Sequence, residues 1–419
     1  MLDALDHFLM IYGQAALREI GGKAGISRQN SINTSAFRSG VLDLLQSKQE
    51  LKVVVDDFDA DDWALNTPGG IVDLKTGVVR PHDPAALCTK ITAVTPMPRG
   101  KFEMLFPASR FARFLQEIFA KLGDDAERAE LVEFEQASLG YCLTGDSSLH
   151  FLKFWYGEGR NGKSVFGEVI ESLLGDYAKK ISNQVLMSSR NERHPTEVAN
   201  LMGARLVIAS EISEGAYFNE SQIKELTGDA RLSARFMRQD FFEFRRTHKH
   251  LIYGNHKPRL RVADAAIKSR IKLTEFGMNF EASGRMDPHL KSKLMDEAPL
   301  VLAWFAEGAR KLVTNGMLLP RSVVVERGTE EYMAENDVVR LWVEERCVVA
   351  ESTTSGSPLR SKTLTLYEDY RAWRIARGEH PEAIQRFSQA LHAHGFKSVL
   401  VKGAKLLTCI GLRDDRDDF

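Results

Sequence analysis

The sequence has little cysteine and no long apolar run. Its 419 residues include only Cys88, Cys142, Cys347 and Cys409, with neither a C-x-x-C pair nor a metal-binding spacing to histidine. This scatter argues against a zinc site and a disulfide framework and is typical of a reducing cytoplasm, where we expect the protein. No apolar run approaches the length of a membrane span, and the first residues lack a signal-peptide pattern, so we expect no membrane partner.

Neither sign of charge is in excess. The 56 Lys and Arg residues nearly balance the 57 Asp and Glu residues, which leaves a formal net charge of −1. No global field therefore points to nucleic acid, and any contact with DNA must come from local basic patches. The composition, 43% hydrophobic and 27% charged, is ordinary for a soluble globular protein of two or three domains.

One glycine-rich stretch carries the strongest local signal. It fits G-x-x-x-x-G-K-[ST], the pattern of a loop whose backbone N–H groups surround a phosphate. Lys163 would reach the β- and γ-phosphates of ATP, and Ser164 would ligate Mg²⁺. The whole candidate ATP-binding loop comprises Gly157, Glu158, Gly159, Arg160, Asn161, Gly162, Lys163 and Ser164.

The flanks of this loop support the same interpretation. Residues 151–156 form an apolar, aromatic-rich run that predicts a buried strand, and an apolar stripe at helical spacing follows the loop as far as Gly175. Strand, loop and helix thus come in the order that anion binding at a helix N-terminus requires. The alternative is a glycine-rich turn in an ordinary α/β domain.

Two further apolar runs end in side chains suited to ATP hydrolysis. Residues 205–210 end at Glu211, which can polarise the attacking water directly or through Mg²⁺, because a neighbouring strand of such folds delivers an acid there. Residues 250–254 end at Asn255, whose amide can bind the γ-phosphate and the lytic water. The alternatives are a helix N-terminal acid for Glu211 and an Asx turn before Pro258 for Asn255.

Hydrolysis also needs a cation on the transferred phosphoryl group. Arg270 is our first choice and Lys268 the second, since an arginine finger contributes about 10³–10⁵ in rate. If the finger acts on a neighbouring subunit, the enzyme works only as a ring or chain of subunits. The alternative is an ordinary surface charge.

Residues 223–246 predict a short helix, a Gly-Asp turn and a hairpin dense in Arg and Phe. Cations with interleaved aromatics suit single-stranded nucleic acid, since charges follow the phosphates and rings stack on bases. We predict DNA contact by Arg235, Arg238 and Gln239. The alternative is a surface hairpin whose phenylalanines pack into the core.

With these segments in order, the chain resembles the superfamily 3 helicases, and among them the phage and plasmid primase-helicases that replicate mobile elements. The resemblance is strongest over about residues 150–280. It rests on Gly-Glu-Gly-Arg-Asn-Gly-Lys-Ser at 157–164, Ala-Ser-Glu at 209–211, Lys-Glu-Leu-Thr-Gly-Asp at 224–229, Gly-Asn-His-Lys-Pro at 254–258 and Asp-Ala-Ala-Ile-Lys-Ser-Arg at 264–270. A weaker similarity at 65–77 is to the small domain that commonly precedes this core.

The resemblance implies an α/β fold with an AAA+-type P-loop ATPase core, a homo-hexameric ring, and ATP-driven 3′→5′ translocation on single-stranded DNA with unwinding of forked DNA. Lys163, Glu211 and Asn255 would act in hydrolysis, with Arg270 of a neighbour as the finger and Mg²⁺ between Ser164 and Glu211. The sequence has no Asp-x-Asp polymerising centre, no zinc ribbon and few residues before the core. We therefore expect priming either to come from a separate primase or replication protein or to have been lost.

Three positions depart from the family pattern. The finger segment often carries two consecutive arginines, but Ser269 replaces the first. The middle motif often reads Gly-Gly-Asp, but here Thr227 stands in the first position. Ser210 stands where some relatives carry a second acid, which leaves Mg²⁺ mainly to Ser164 and Glu211.

The rest of the chain predicts two flanking domains. Residues 1 to about 50 are expected to be helical, 63–79 to form three short strands, and 94–100 to be a linker, which gives an α+β N-terminal domain at 1–105 and an ATPase domain with a helical lead-in at 106–320. In 321–419, a helix at 363–377, a second from Pro381 and a hairpin of 397–401 with 405–412 are typical of a winged helix. The alternative for this last part is a small capping domain that binds nothing.

Two other functions remain open. One is an ATP-switched origin-binding or loader protein that assembles on DNA without processive unwinding and reads DNA through the helix at 382–394. The other is a small-molecule kinase with the same phosphate loop, which would need a lid carrying phosphate-directed arginines and which the motif order fits poorly.

Overall fold

A computed structural model describes residues 11–12, 14–15, 18–32, 34–47, 53–188, 195–261, 263–350, 359–401 and 404–413. These residues divide into two compact units, 1–60 and 61–419. In the first unit, helices α1 (Gly22–Ile32) and α2 (Ser35–Ser47) confirm the helical prediction. The first ten residues of the stretch predicted to be helical lie outside the described residues. On α2, Phe37 is half-buried, whereas Leu44 is 68% exposed.

The second unit begins with a small antiparallel sheet. Its strands β1 (Ala64–Thr67), β2 (Gly70–Asp73) and β3 (Val79–Arg80) pair in that order and confirm the three predicted strands. Gly70 has φ +135°, and a Cβ atom there would lie 2.4 Å from the Arg80 carbonyl oxygen, so this tight turn requires glycine. The buried face of the sheet joins the same core as the helices that follow.

Three helices lead into the central sheet: α3 (Arg99–Leu105), α4 (Arg110–Ile118) and α5 (Asp125–Tyr141). The predicted linker at 94–100 was too long, because α3 already starts at Arg99 and is anchored by the buried ring of Phe102. The predicted lead-in consists of α4 and α5. Gly123 (φ +64°) ends the connection between them, and the Asp124 carboxylate then accepts from the Glu127 backbone N–H and caps α5.

A five-stranded parallel sheet forms the centre of this unit, with the strand order β10–β4–β9–β6–β5. The strands are β4 (Leu152–Tyr156), β5 (Ala178–Ile181), β6 (Leu206–Ser210), β9 (Lys249–Gly254) and β10 (Ile271–Glu275). A separate antiparallel hairpin, β7 (Arg231–Ala234) with β8 (Phe242–Arg245), is inserted between β6 and β9. The mixed α/β fold with a parallel sheet confirms the fold class at this level.

Both faces of the parallel sheet are covered, because alternate residues of each strand enter different cores. Leu206 and Ile208 pack with α4, α5 and the helix after the phosphate loop, whereas Val207 and Ala209 pack on the opposite face. The helices of this unit up to residue 335 are α6 (Lys163–Leu174), α7 (Pro195–Ala199), α8 (Glu220–Gly228), α9 (Ala265–Arg270), α10 (Leu290–Asp296), α11 (Ala298–Thr314) and α12 (Val323–Glu335).

The C-terminal part has a core of its own. It contains α13 (Val338–Arg346), β11 (Cys347–Val349), β12 (Arg360–Lys362), α14 (Thr363–Ala376), α15 (Ile384–Ala393), β13 (Ser398–Val401), β14 (Ala404–Thr408) and β15 (Ile410–Leu412). Strands β12, β14 and β13 form one sheet, and β11 pairs with β15. None of the described helices in the chain combines the length and apolarity that crossing a bilayer requires.

Two boundaries in this part differ from the sequence prediction. The second helix begins at Ile384 rather than Pro381, because the Tyr367 hydroxyl donates to the Glu382 carbonyl oxygen at 2.7 Å and ties the preceding residues to α14. The predicted strand 405–412 is interrupted at Cys409, whose φ of +66° ends one pairing and starts another.

Candidate functional site

The phosphate loop, residues 157–164, joins the end of β4 to the start of α6. Gly157, Gly159 and Gly162 all have positive φ (155°, 101° and 90°), which the curl of the loop needs and which L side chains rarely adopt. A Cβ at Gly157 would lie 2.5 Å from the Phe276 carbonyl oxygen, so the loop is also closely packed. Ser164 is exposed in the first turn of α6, where backbone N–H groups favour an anion.

Lys163 is buried at the centre of this loop, with 2% of its surface exposed. Within the described residues, its ammonium group donates to three neutral oxygen atoms: Gly157 O at 2.7 Å, Asn161 Oδ1 at 3.0 Å and Asn255 Oδ1 at 3.3 Å. Burial lowers the pKa of Lys163 to about 8. A buried cation among neutral dipoles is suited to an anionic ligand such as a triphosphate.

Asn255 follows β9 and Glu211 follows β6, two strands of the same parallel sheet as β4. Trp155 of β4 pairs with Tyr253 of β9, which pairs with Ser210 of β6, so the strands end in one row. The ends of β4, β9 and β6 therefore lie side by side, and the roles of Asn255 and Glu211 stay predictions. The 3.3 Å contact between Asn255 and Lys163 brings two of the predicted side chains together directly.

The position of the acid strand differs from the sequence prediction in one respect. We expected β6 to be the direct neighbour of the phosphate-loop strand, but β9 lies between β4 and β6. Register alone cannot reveal this, because apolar parallel strands of similar length are interchangeable in a sequence pattern. Asn255 is consequently the polar strand end adjacent to the loop, and Glu211 lies one strand further away.

Glu211 has a strained backbone and an exposed side chain. Its φ is +65°, an unfavourable value for a residue with a Cβ, and the side-chain amide of Asn183 donates to its carbonyl oxygen at 2.6 Å. Such strain persists only where neighbouring contacts fix the backbone, and it concentrates at functional sites. The sequence did not point to Asn183, which lies in a turn after β5 and carries no motif.

A second feature missed from the sequence is the segment after β10, residues 276–281. The Phe276 carbonyl oxygen accepts from Asn161 Nδ2 at 3.0 Å, and the Phe280 N–H donates to the Arg160 carbonyl oxygen at 2.9 Å. Glu281 also forms an ion pair with Arg160. These contacts hold the phosphate loop from the side of β10, and no motif in the sequence indicated them.

No carboxylate-rich metal centre is found in the described parts of the chain, where no group of three or more His, Cys, Asp and Glu side chains could hold an ion. An ion delivered with a nucleotide needs no such group, because Mg²⁺ usually keeps several waters and binds one or two protein groups plus phosphates. The exposed Ser164 hydroxyl and Glu211 carboxylate are the residues that would hold it.

Arg270 lies near the amino ends of the parallel strands, opposite to the phosphate loop. It is the last residue of α9, directly before Ile271, which pairs with Leu152 at the start of β4. The phosphate loop leaves the far end of β4, so about five strand residues, roughly 16 Å, separate the two positions. Lys268, the second choice, is on the same helix and pairs with Glu330 at 3.1 Å. Arg270 is therefore not part of the loop site of its own chain.

The three candidate DNA contacts lie together at the tip of the β7–β8 hairpin. Arg235, Arg238 and Gln239 are all exposed, and the Arg235 guanidinium lies 4.9 Å from the ring centroid of Phe241, which is 61% exposed. Phe244 at the hairpin base is buried, so only part of the aromatic content is core. The tip thus offers cations beside an open aromatic ring.

Comparison with known proteins finds two family matches along the chain. Residues 23–120 match a family described as D5 N terminal like, and residues 155–270 match a family of unknown function, DUF5906. The second match runs from the end of β4 through Arg270 and so includes all the predicted hydrolysis residues.

The relatives of the chain include three viral proteins. "Putative helicase L207/L206" of Acanthamoeba polyphaga mimivirus is 23% identical over 411 residues, which is 92% of this chain and 40% of that protein. "Putative helicase 022R" of Frog virus 3 is 27% identical over 57% of this chain and 26% of that protein. "Putative primase C962R" of African swine fever virus (isolate Tick/Malawi/Lil 20-1/1983) is 22% identical over 52% of this chain and 24% of that protein.

The chain thus spans less than half the length of these viral relatives, which their names call helicases or primases. Among solved structures, the A form apo structure of the NrS-1 C terminal region (CTR) is similar, with a TM-score of 0.44, 12% identity and 90% coverage of both chains.

Proposed function

We propose that this chain is an ATP-dependent DNA helicase motor of the superfamily 3, AAA+ type that replicates a phage, plasmid or other mobile element. It binds ATP and Mg²⁺ at the phosphate loop and moves 3′→5′ on single-stranded DNA as a homo-hexameric ring. The C-terminal part acts as a winged-helix-like domain. The viral relatives named as helicases or primases support this class of function.

Two groups that would bind phosphate lie at opposite ends of the parallel strands, and this placement is the main support for the proposal. Lys163 and Asn255 lie together where β4 and β9 end, whereas Arg270 lies where β10 begins. A hydrolysis site that uses both must be assembled from two copies of the chain. This arrangement belongs to a ring or a filament, in which each subunit supplies a loop to one neighbour and a finger to the other.

The chain's residues then have distinct tasks in hydrolysis. Lys163 neutralises the β- and γ-phosphates, Asn255 contacts the γ-phosphate, and Glu211 accepts a proton from the attacking water. Arg270 of the adjacent subunit stabilises the charge that develops on the transferred phosphoryl group. Ser164 and Glu211 would hold Mg²⁺, which would supply positive charge against the negative charge of the phosphates.

Movement on DNA follows from the shared site. When the γ-phosphate leaves, the interface loses a group that both subunits contact, and the subunits change their relative position. The β7–β8 hairpin follows α8, which packs in the same core as β4 and β9. The hairpin tip with Arg235, Arg238 and Gln239 therefore moves with the ATPase core and carries the strand along.

Strand displacement on forked DNA tests this proposal. With ATP and Mg²⁺, the chain should separate a fork that has a 3′ single-stranded tail and should fail on a fork that has only a 5′ tail. The Lys163→Ala variant should lose ATP hydrolysis and displacement together, because it removes the cation that contacts the transferred phosphate. ATP hydrolysis without displacement on either fork would instead indicate an ATP-switched origin-binding or loader protein.

A further inference from the structure

Thr227 holds the side chain of Arg270. Its hydroxyl is buried, with 1% of the residue exposed, and donates to the Ile223 carbonyl oxygen one turn earlier in α8, at 2.5 Å. The same oxygen accepts from Arg270 Nε at 3.1 Å. Because the hydroxyl hydrogen is committed to Ile223, a lone pair of the oxygen is directed at the guanidinium, and the donor and acceptor roles are both fixed.

Two further contacts define where the guanidinium lies. Arg270 Nη1 donates to the Ala266 carbonyl oxygen at 2.9 Å, and Nη2 lies over Gly228, where an added Cβ would come within 3.2 Å of it. These hydrogen bonds engage two of the five N–H groups of the guanidinium. The side chain is therefore fixed at its base, and its remaining N–H groups can bind a phosphoryl oxygen.

The frame that carries these contacts is itself fixed. Lys224 on α8 forms an ion pair with Asp264 at 2.6 Å, and Asp264 also caps α9 by accepting from the Ile267 backbone N–H at 2.8 Å. Two contacts thus join helices α8 and α9: the ion pair of Lys224 with Asp264 and the hydrogen bond of Arg270 with Thr227. Both helices pack on the same side of the parallel sheet through buried Ile223 and Ile267.

We propose that Thr227 is a positioning residue for the arginine finger: its hydroxyl orients Arg270 for the phosphate loop of the adjacent subunit. This inference rests on the proposed function, because it needs Arg270 to act on a neighbour. Thr227 and Gly228 together place the Arg270 guanidinium, because the Thr227 hydroxyl accepts from Nε and Gly228, which has no side chain, leaves room for Nη2.

A subunit-mixing experiment tests this role. Lys163→Ala subunits lack a working loop but have the finger, and Arg270→Ala subunits have the loop but lack the finger. Each is expected to be inactive alone, and their mixture should regain ATPase activity with single-stranded DNA present. Failure to regain activity would overturn the shared site of the proposed function, and with it the role of Thr227.

Thr227→Val, which keeps the shape but removes the hydroxyl, is then added to one partner at a time. In the Lys163→Ala partner it should lower the regained kcat by about 10- to 100-fold, because a finger misplaced by about 1 Å loses most of its effect. In the Arg270→Ala partner it has no finger to orient, so the regained rate should match that of the mixture without it. Equal effects in both partners would mean that Thr227 is only structural.

Thr227→Ser, which keeps the hydroxyl, is the matched control and should restore most of the regained kcat in the finger-donating partner. If Thr227→Val fails to fold, judged by its melting temperature, Gly228→Ala serves instead, because its added methyl group would press on Nη2. Regained activity that neither Thr227→Val nor Gly228→Ala lowers in the finger-donating partner would overturn the inference while leaving the shared site intact.

Discussion

At the scale of single residues, the ammonium group of Lys163 determines how the loop site responds to pH. Burial lowers its pKa to about 8, below the ordinary value for lysine, so the free protein loses this charge as the pH rises through about 8. A bound triphosphate favours the charged form and opposes that loss. Nucleotide binding above pH 8 must therefore take up protons.

We accordingly expect the affinity for a non-hydrolysable ATP analogue to fall by about 10-fold between pH 7 and pH 9, as only about one-tenth of Lys163 stays charged at pH 9. Isothermal titration at constant ionic strength measures the affinity, and buffers of different ionisation enthalpy measure the proton uptake. Lys163→Arg keeps its charge throughout this range and should flatten the pH profile, whatever its affinity. An unchanged slope in that variant would assign the pH dependence to other groups.

A second residue-scale feature is a buried ion pair in the core. Lys153 Nζ on β4 lies 2.9 Å from Glu135 Oε2 on α5, both side chains are fully buried, and the Thr274 hydroxyl of β10 donates to Glu135 Oε1 at 2.8 Å. Desolvating two charges offsets much of their attraction, but a lone buried charge is far worse.

Glu135→Gln should therefore lower the free energy of unfolding by about 3–5 kcal/mol, because it leaves the Lys153 ammonium without its carboxylate. Replacing both residues, Glu135→Leu with Lys153→Met, should recover most of that loss. Urea denaturation followed by the fluorescence of the buried tryptophans Trp155, Trp304 and Trp342 measures both variants. A double variant as unstable as the single one would show that the pair contributes more than its desolvation costs.

At the scale of secondary-structure elements, we propose that the β7–β8 hairpin binds DNA while the phosphate loop hydrolyses ATP. Its tip carries Arg238 in an exposed turn with φ +61°, and the ring of Phe241 is open beside it. Arg238→Ala should weaken single-stranded DNA binding and reduce the slope of log affinity against log salt by about 1, because one phosphate contact is lost.

Fluorescence anisotropy with labelled single-stranded DNA over a range of salt concentrations measures this slope, and the ATPase rate without DNA should stay close to that of the unchanged chain. Arg99→Ala, which removes an exposed cation of α3 paired with Glu103, is the matched control. If both substitutions change the slope equally, the hairpin has no special role in binding.

The elements also show what a sequence can predict. Local patterns identified β4, the loop and α6 correctly, because turn glycines and apolar periodicity are decided by neighbours in the chain. They could not give the position of β9 between β4 and β6, since buried parallel strands look alike until they pair. Nor could they reveal the contact of Thr227 with Arg270, whose partners are 43 residues apart and meet only through tertiary packing.

At the scale of the whole molecule, the two groups that we propose to bind phosphate lie at opposite ends of the parallel strands. The loop with Lys163 follows the carboxyl end of β4, whereas Arg270 lies at the amino end of β10. The distance between them cannot be closed by side-chain rotation, because the strands of one sheet are rigid and the Arg270 guanidinium is held by Thr227. Under the proposed function, ATP hydrolysis therefore needs two copies of the chain, one that supplies the loop and one that supplies Arg270.

With a site shared between two chains, we expect the ATPase activity to depend on protein concentration. The ATPase rate per chain should fall steeply on dilution below the concentration at which subunits assemble, and single-stranded DNA should move that transition to lower concentration because it binds the assembled form. Mass photometry with an ATP analogue at the same concentrations should show the fall in rate coincide with the loss of oligomers. Arg270→Ala should assemble over the same range but hydrolyse ATP about 10³–10⁵-fold more slowly at every concentration. A rate per chain that stays constant while the particles dissociate would show that a single chain completes its own site and would contradict the proposed role of Arg270.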